Sequence, residues 1–329
     1  MQKIAYPYQL THRPQWTELE TVNGDDQVTI SFKDQVAIVT GGGTGLGRSH
    51  ALQLAARGAR VVVNDLGGSR DGSGGSDTVA KLVVDEIVAA GGEAIASGAD
   101  ITDESQASAM VQATLDEWGR VDILINNAGI LRDKSFAKMS LEEWRAVVDV
   151  HLNGSAYCSH AVWPAMREQG YGRIMMTSSS SGVYGNFGQA NYGAAKYGVV
   201  GLMNVLAIEG RKYNIHVNSL VPTAATTMTE DVMTERMLEQ LKPEYVTPAV
   251  LFLASADAPN GEILMAGAGN YAVAKLIESE GIKLPEAQRT PENIAAIFDQ
   301  ISDVSNGIEI QDGMQHIERI VSKPVDPFG

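Results

Sequence analysis

Val36-Ala-Ile-Val-Thr-Gly-Gly-Gly-Thr-Gly-Leu-Gly47 is the stretch whose reading decides the fold. An apolar run with the character of a buried strand meets a glycine cluster, and a helical pattern follows from Arg48 to Arg57. A strand that turns tightly into a helix presents free backbone N–H groups and the positive end of the helix dipole to an anion. Within the turn, Gly41 suits the tight reversal, Gly45 lets backbone approach a pyrophosphate, and Gly47 allows close packing of helix on strand. Gly43, Thr44 and Leu46 complete the cradle. The spacing is G-x-x-x-G-x-G rather than G-x-G-x-x-G, and a glycine turn can serve packing alone, so the residues downstream carry the argument.

A second apolar strand, Arg60-Val-Val-Val-Asn-Asp65, ends on an acid about twenty residues beyond the glycines. A carboxylate there accepts hydrogen bonds from an adenosine ribose and repels a 2′-phosphate, so the expected cofactor is NAD rather than NADP. No basic residue replaces or directly follows Asp65; Arg70 comes later, in a glycine-rich loop. Asp100, at the end of Ser97-Gly-Ala-Asp100, is placed with Ile101 for the adenine end, or alternatively as a helix cap before Glu104. The turn Asn126-Asn127-Ala128-Gly129 offers small residues beneath the adenine ribose and an asparagine able to tie neighbouring strands.

Strand readings at Gln35–Thr40, Arg60–Asp65, Glu93–Ser97, Val121–Asn126, Gly172–Ser178, Ile215–Val221 and Glu262–Ala266 alternate with helical segments. The helices are read at Arg48–Arg57, Thr78–Ala90, Glu104–Trp118, Leu141–Gln169 and Gln189–Lys212, with a broken stretch over Met228–Ala254. Such alternation predicts an α/β, Rossmann-type, doubly wound sheet of seven parallel strands in a single domain. Residues 1–30 read as an N-terminal extension, 31–270 as the dinucleotide-binding domain and 271–329 as a C-terminal extension.

The chain has 329 residues, 44% of them hydrophobic and 20% charged, which is ordinary for a globular protein with a substantial core. Its net charge of −15 argues against nucleic acid or an anionic membrane as partner. Cys158 stands alone and the six histidines lack zinc spacing, so no disulfide framework or metal site is expected. Neither a signal peptide nor a membrane span is legible, which makes the cytoplasm the default location.

The chemistry is read from Tyr192-Gly-Ala-Ala-Lys196. Residues four apart on a helix share a face, so phenol and ammonium converge. Tyr271-Ala-Val-Ala-Lys275 matches the same spacing. Context separates the two: Ser179 precedes Tyr192 by thirteen residues at the end of an apolar strand, whereas Ala258 occupies that offset from Tyr271. A phenol with a reference pKa of about 10 is a poor base until a cation stabilises its phenolate. Lys196 supplies that charge, and Ser179 can hydrogen-bond the substrate oxygen. The set fits oxidation of an alcohol with hydride leaving to a nicotinamide. An NAD-binding protein without activity is the reading of another class.

Taken together, the glycine turn 41–47, Asn126-Asn-Ala-Gly129, Ser179, Tyr192 and Lys196 resemble the short-chain dehydrogenase/reductase family over roughly residues 32 to 270. A narrower resemblance is to the (3R)-hydroxyacyl-CoA dehydrogenase units of type 2 peroxisomal multifunctional enzymes. It rests on Val63-Asn-Asp-Leu-Gly-Gly68, Asn127-Ala-Gly-Ile-Leu-Arg-Asp133, Ser181-Gly-Val-Tyr-Gly-Asn-Phe-Gly-Gln-Ala-Asn-Tyr192, Ile208-Glu-Gly-Arg-Lys212, Leu241-Lys-Pro-Glu-Tyr-Val246 and Thr290-Pro-Glu-Asn293. The resemblance implies NAD-dependent interconversion of a secondary alcohol and a ketone, on a hydroxyacyl-CoA or another bulky alcohol such as a steroid. It also implies a stand-alone relative and a homodimer or homotetramer paired through the two long helices, with Val199, Leu202, Leu206 and Ile208 as interface or core.

Two departures from the family pattern stand out. His151 occupies the position where many members carry an asparagine that helps hold a water beside the lysine; it serves either a relay or the core. Asn153 cannot replace that asparagine, because two α-helical residues turn a side chain about 200° away. Pro222-Thr223 replaces proline-glycine beside the nicotinamide, with a backbone contact expected near Ala225. For the phosphates of CoA, the candidate cations are Arg132, Lys134, Lys275 and Lys283, or these are solvated surface charges.

Overall fold

A computed structural model describes residues 29–69, 71–74, 78–225 and 239–325. Residues 1–28 of the N-terminal extension, Arg70 and the part of the Met228–Ala254 stretch up to residue 238 therefore lie outside the described residues. Residues 31–329 form one compact unit. Its centre is an eight-stranded sheet of order β3-β2-β1-β4-β5-β6-β7-β8. The strands are β1 (Val36–Thr40), β2 (Arg60–Asn64), β3 (Glu93–Ser97), β4 (Ile123–Asn126), β5 (Gly172–Thr177), β6 (Ile215–Thr223), β7 (Ile263–Gly267) and β8 (Asn270–Ala274). All pair in parallel except β8, which runs antiparallel to β7.

Residues of β1, β4 and β5 are buried throughout, as strands covered on both faces by crossover helices must be. The helices are α1 (Gly45–Ala56), α2 (Thr78–Ala89), α3 (Glu104–Trp118), α4 (Leu141–Val148), α5 (Gly154–Gln169), α6 (Ser180–Tyr184) and α7 (Ala190–Gly210), with Thr247–Ala254 beyond β6. The core between α3, α5, α7 and the central strands joins Met110, Val162, Met166, Met203 and Val217, among others, to Ile38 and Leu124. None of the helices among the described residues is long and apolar enough to cross a membrane.

Two features depart from the sequence reading. The sheet has eight strands instead of seven, because β7 returns as a hairpin at Ala268-Gly269, whose φ values are 50° and 73°. Two consecutive positive φ angles are the mark of the two-residue turn that matches the twist of paired strands. The strand β8 is an edge with four of its five residues exposed, so its hydrophobic alternation is weak. It straddles the boundary expected at residue 270. Beyond it, β9 (Ile277–Glu278) pairs with β10 (Ile308–Glu309), and Lys275 bridges Glu262 and Glu309 at 2.7 and 3.0 Å. The tail therefore folds against the sheet edge.

The second departure is in the expected helix Leu141–Gln169, which is not continuous. A π-helical turn, Asp149–Asn153, separates α4 from α5, and Gly154 N–H reaches back five residues to the Asp149 carbonyl. Rotation at 3.6 residues per turn does not hold through that segment. Asn153 nonetheless points elsewhere: its amide donates to Asp149 Oδ1 at 2.8 Å.

Candidate active site

Strand order reverses direction between β1 and β4, and the crevice at such a switch point is where open α/β sheets bind ligands. The sequence fills that crevice closely. Gly41 has φ of 61°, and a Cβ there would stand 2.7 Å from Ala128 Cα. A Cβ on Gly47 would fall 2.0 Å from the Gly41 carbonyl oxygen, so α1 approaches the turn as only glycine permits. Asn127 locks the two strand ends together: its amide donates to the Thr40 and Gly41 carbonyls, each at 3.0 Å. Thr40 Oγ1 accepts from the Asn127 and Ala128 N–H groups at 3.0 and 3.1 Å. The role of Thr40 is not legible in the sequence, where it is simply the last residue of an apolar strand.

These residues fit a dinucleotide. Asp65 lies at the end of β2, where its carboxylate accepts from Gly43 N–H at 2.9 Å and Gly67 N–H at 2.8 Å. The first turn of α1 carries no acidic residue and Thr44 makes no side-chain cap, so its N-terminal N–H groups face the crevice without an internal anion. Ile101 is buried against Gly154. Asp100 accepts from Thr102 N–H and Oγ1 at 2.9 and 2.8 Å, and the cap of α3 is Asp103 instead. The helix-cap alternative for Asp100 is thereby removed. Pro222 of β6 pairs with Ala266 of β7, and Ala225 N–H already donates to the Leu241 carbonyl at 2.6 Å. That amide is engaged within the protein.

Ser179, Tyr192 and Lys196 come together where β5 ends. Ser179 caps α6, its Oγ accepting from Ser181 N–H at 3.2 Å, and its hydroxyl is near enough to Tyr192 to lower the phenol's pKa. Tyr192 sits in the first turn of α7 and Lys196 one turn later, its Nζ 5.6 Å from the phenol ring centre. Thr177 and Ser178 hold the lysine: Nζ donates to the Thr177 carbonyl and Ser178 Oγ donates to the Lys196 carbonyl, both at 2.5 Å. Their only sequence signal is a run of hydroxyl residues after an apolar strand. Asn191, fully buried beside Tyr192, pins the start of α7 to the Arg132 and Glu143 carbonyls. Tyr271, by contrast, lies on the exposed edge strand with its hydroxyl on the Tyr245 carbonyl, outside the site. It is an edge residue rather than a packed one.

Burial raises the Tyr192 phenol above its usual value; the Ser179 hydrogen bond pulls it down and Asp133 pushes it up. Burial alone brings Lys196 down to about 7. Burial thus works against the charged form of each group, and a phenolate at Tyr192 needs a cation beside it. His151, 2% exposed, stands edge-on to Tyr192 with ring centres 5.0 Å apart.

The remaining expectations divide. Lys134 pairs with Glu143 at 2.5 Å, Lys275 with two glutamates, and Lys283 donates to the Val321 carbonyl. Arg132 Nε donates to the Asp71 carbonyl. The four cations form no single cluster. On α7, Val199 belongs to the core and Leu202 and Leu206 pack against it, so these three are not the exposed face. Ile208 is exposed, together with Tyr197 and Val205.

A glycine turn between strand and helix, an acid at the end of β2 and a Ser-Tyr-Lys set on one crevice are the pattern of a nicotinamide-dependent oxidoreductase, and residues 35–237 match the model of the short chain dehydrogenase family. The chain belongs to that family. It is 46% identical to peroxisomal multifunctional enzyme A of Dictyostelium discoideum over 91% of this chain and 68% of the relative. The structure of full-length peroxisomal multifunctional enzyme type 2 from Drosophila melanogaster superposes with a TM-score of 0.75 at 36% identity. That match covers 89% of this chain and 49% of the fly chain, so the protein spans about half the length of that enzyme. A 7α-hydroxysteroid dehydrogenase complexed with NADH and a 7-oxo bile acid matches with a TM-score of 0.66 at 31% identity, over 73% of this chain and 95% of the other. The peroxisome in two of these names is a different compartment from the cytoplasm expected from the sequence.

Proposed function

We propose that the protein uses NAD to interconvert a (3R)-hydroxyacyl-CoA and the 3-oxoacyl-CoA. The observation that carries the reading is the convergence of Ser179, Tyr192 and Lys196 beside the Asp65 crevice, in a chain that follows a multifunctional enzyme at 46% identity over 91% of its length. Ser179 Oγ and Tyr192 Oη hold the substrate hydroxyl. Tyr192 takes the hydroxyl proton as phenolate, Lys196 stabilises that phenolate, and Ser179 steadies the charge on the oxygen as the carbonyl forms. A nicotinamide bound in the crevice would supply the hydride acceptor. Asp65 supports NAD over NADP, since its carboxylate would face the 2′-phosphate.

The thioester handle rests on Arg132 and Lys134, which border the site through Asn191 and Gln189. Lys275 is already balanced by two carboxylates and drops out of that role. A second reading, a steroid alcohol, draws support from the likeness to the 7α-hydroxysteroid dehydrogenase. We also propose a homo-oligomer, at least a dimer, through the exposed α7 face of Tyr197, Val205 and Ile208.

Initial rates of NADH formation with hydroxyacyl-CoA thioesters, the matching small esters and steroid alcohols separate the readings. The CoA assignment predicts a much lower KM for the thioester, an advantage that shrinks at high salt and on neutralising Arg132 or Lys134. Equal efficiency with thioester and small ester, together with strong steroid turnover, would transfer the function to the steroid reading.

A further inference from the structure

The π turn at Asp149–Asn153 breaks what would otherwise be one long helix, and the residue at its centre is His151. Such turns cost regular hydrogen bonding and recur at functional sites. Here the local cost is met: the His151 carbonyl accepts from Ser155 Oγ at 2.6 Å. The ring is anchored on the opposite side. Nε2 lies 2.8 Å from the Ile130 carbonyl oxygen and 3.1 Å from the Ile130 nitrogen, so the Ile130 backbone anchors the ring in either neutral tautomer, as donor to the carbonyl or acceptor from the N–H. One face of the space is closed by Gly129, where a Cβ would stand 2.3 Å from His151 Cε1. The other partner is Tyr192, at an interplanar angle of 88°. Nδ1 is buried and has no hydrogen-bond partner.

An orphaned buried polar atom, donor or acceptor, costs about 1–3 kcal/mol. The site accepts that cost in order to hold an aromatic ring with one polar anchor at this spot. An amide side chain would make the anchor without the ring, and a phenyl group would give the ring without the anchor. Edge-to-face contact is directional, so a fixed ring fixes the plane of its neighbour.

We propose that His151 is a positioning residue for Tyr192: its ring, bound through Nε2 to the Ile130 backbone and wedged against Gly129, sets the plane of the phenol and so the plane in which its O–H and lone pairs meet the substrate. The role rests on Tyr192 being the acid/base of the site. It differs from a proton relay, because the imidazole stays neutral. Burial and the charge of Lys196 keep its pKa well below the ordinary histidine value. No protonation change at His151 is needed at any step.

The test compares His151→Phe with His151→Gln, with Tyr192→Phe as reference. Positioning by the ring predicts the order of kcat wild type, then Phe, then Gln, with Gln lower by roughly ten-fold or more, as expected for a misaligned reacting group. The Gln variant should keep the wild-type melting temperature, NADH affinity by fluorescence titration, and substrate KM. A relay or water-holding role predicts the reverse order, because Gln keeps a polar group and Phe does not. It also predicts rescue of the Gln variant by free imidazole. Either that rescue, or a Gln variant as fast as wild type, overturns the inference. If the Phe variant does not fold, the Gln rate and the imidazole experiment decide alone. An active Tyr192→Phe variant would instead sink the reading of the site itself.

Discussion

Replacing Lys196 with methionine is expected to stabilise the protein near neutral pH while abolishing turnover. Lys196 is almost fully buried, and burial brings its pKa from 10.5 to about 7. The native state therefore binds fewer protons than the unfolded state between pH 7 and 10.5. Within that window wild-type stability must rise with pH, by up to about 1.4 kcal/mol per unit; below it the full penalty is present, and above it none. The shift corresponds to about 5 kcal/mol at most. The hydrogen bond from Nζ to the Thr177 carbonyl offsets part of this, since bonds to charged groups contribute about 1.5–3 kcal/mol. Lys196→Met fills similar volume without a charge, so at pH 6 it should be more stable than wild type by roughly 2–3 kcal/mol. Near pH 10 the difference should have vanished or inverted, because little of the desolvation cost remains and the variant has lost a hydrogen bond. Urea unfolding of both proteins at fixed concentration from pH 6 to 10, followed by tryptophan fluorescence, isolates the lysine as a difference curve. A flat difference, or a variant less stable at pH 6, would refute the argument.

Three further outcomes are expected. Asp65→Asn should lower the NAD-to-NADP ratio of kcat/KM by about two orders of magnitude, since a carboxylate and a phosphate charge some 5 Å apart repel by about 3 kcal/mol at an effective dielectric near 20; a higher kcat/KM with NADP in the wild type would defeat the NAD assignment. Tyr192→Phe should cost roughly two orders of magnitude or more in turnover, while Tyr271→Phe stays within a few-fold, and an exchange of these phenotypes in steady-state assays would reverse the choice between the two motifs. Val205→Glu places a charge on the exposed face of α7 and should convert the oligomer to monomer in light scattering; wild type running as a monomer at micromolar concentration would remove the proposed interface.

Seven strands of the sheet were legible because the central ones are short buried apolar runs and all seven alternate with helical periods at the spacing of a parallel sheet. The eighth was not. Four of five residues of β8 face solvent, and Ala268 adopts a positive φ that alanine disfavours, so neither hydrophobicity nor turn chemistry announced the hairpin. The break in Leu141–Gln169 was hidden for a different reason. No glycine or proline interrupts Asp149–Asn153, and besides the local bond from Ser155 the turn is held by His151 packing on Ile130 and Tyr192, which are distant in sequence. Likewise Val199, Leu202 and Leu206 share an apolar character with Ile208 on α7, and only the position of the core separates the packed side from the exposed one.

The two Tyr-x-x-x-Lys matches show why the site was more readable than any motif within it. Spacing of four brings phenol and ammonium together only on a helix; on a strand, residues four apart share a face but stand about 13 Å apart along the chain. Tyr271–Lys275 begins on β8, and each side chain there finds its own partner, the Tyr245 carbonyl for one and Glu262 and Glu309 for the other. Tyr192–Lys196 lies on α7, and α6 packs so tightly on it that a Cβ at Gly182 would meet Lys196 backbone at 2.9 Å. That contact brings Ser179 to the phenol. The serine thirteen residues upstream was therefore informative because it reports the strand-and-short-helix path that delivers it. The electrostatics were legible only in sign. A lysine beside a tyrosine implies a stabilised phenolate, but how far each group is shifted depends on burial, which comes from the whole core around β5 and α7.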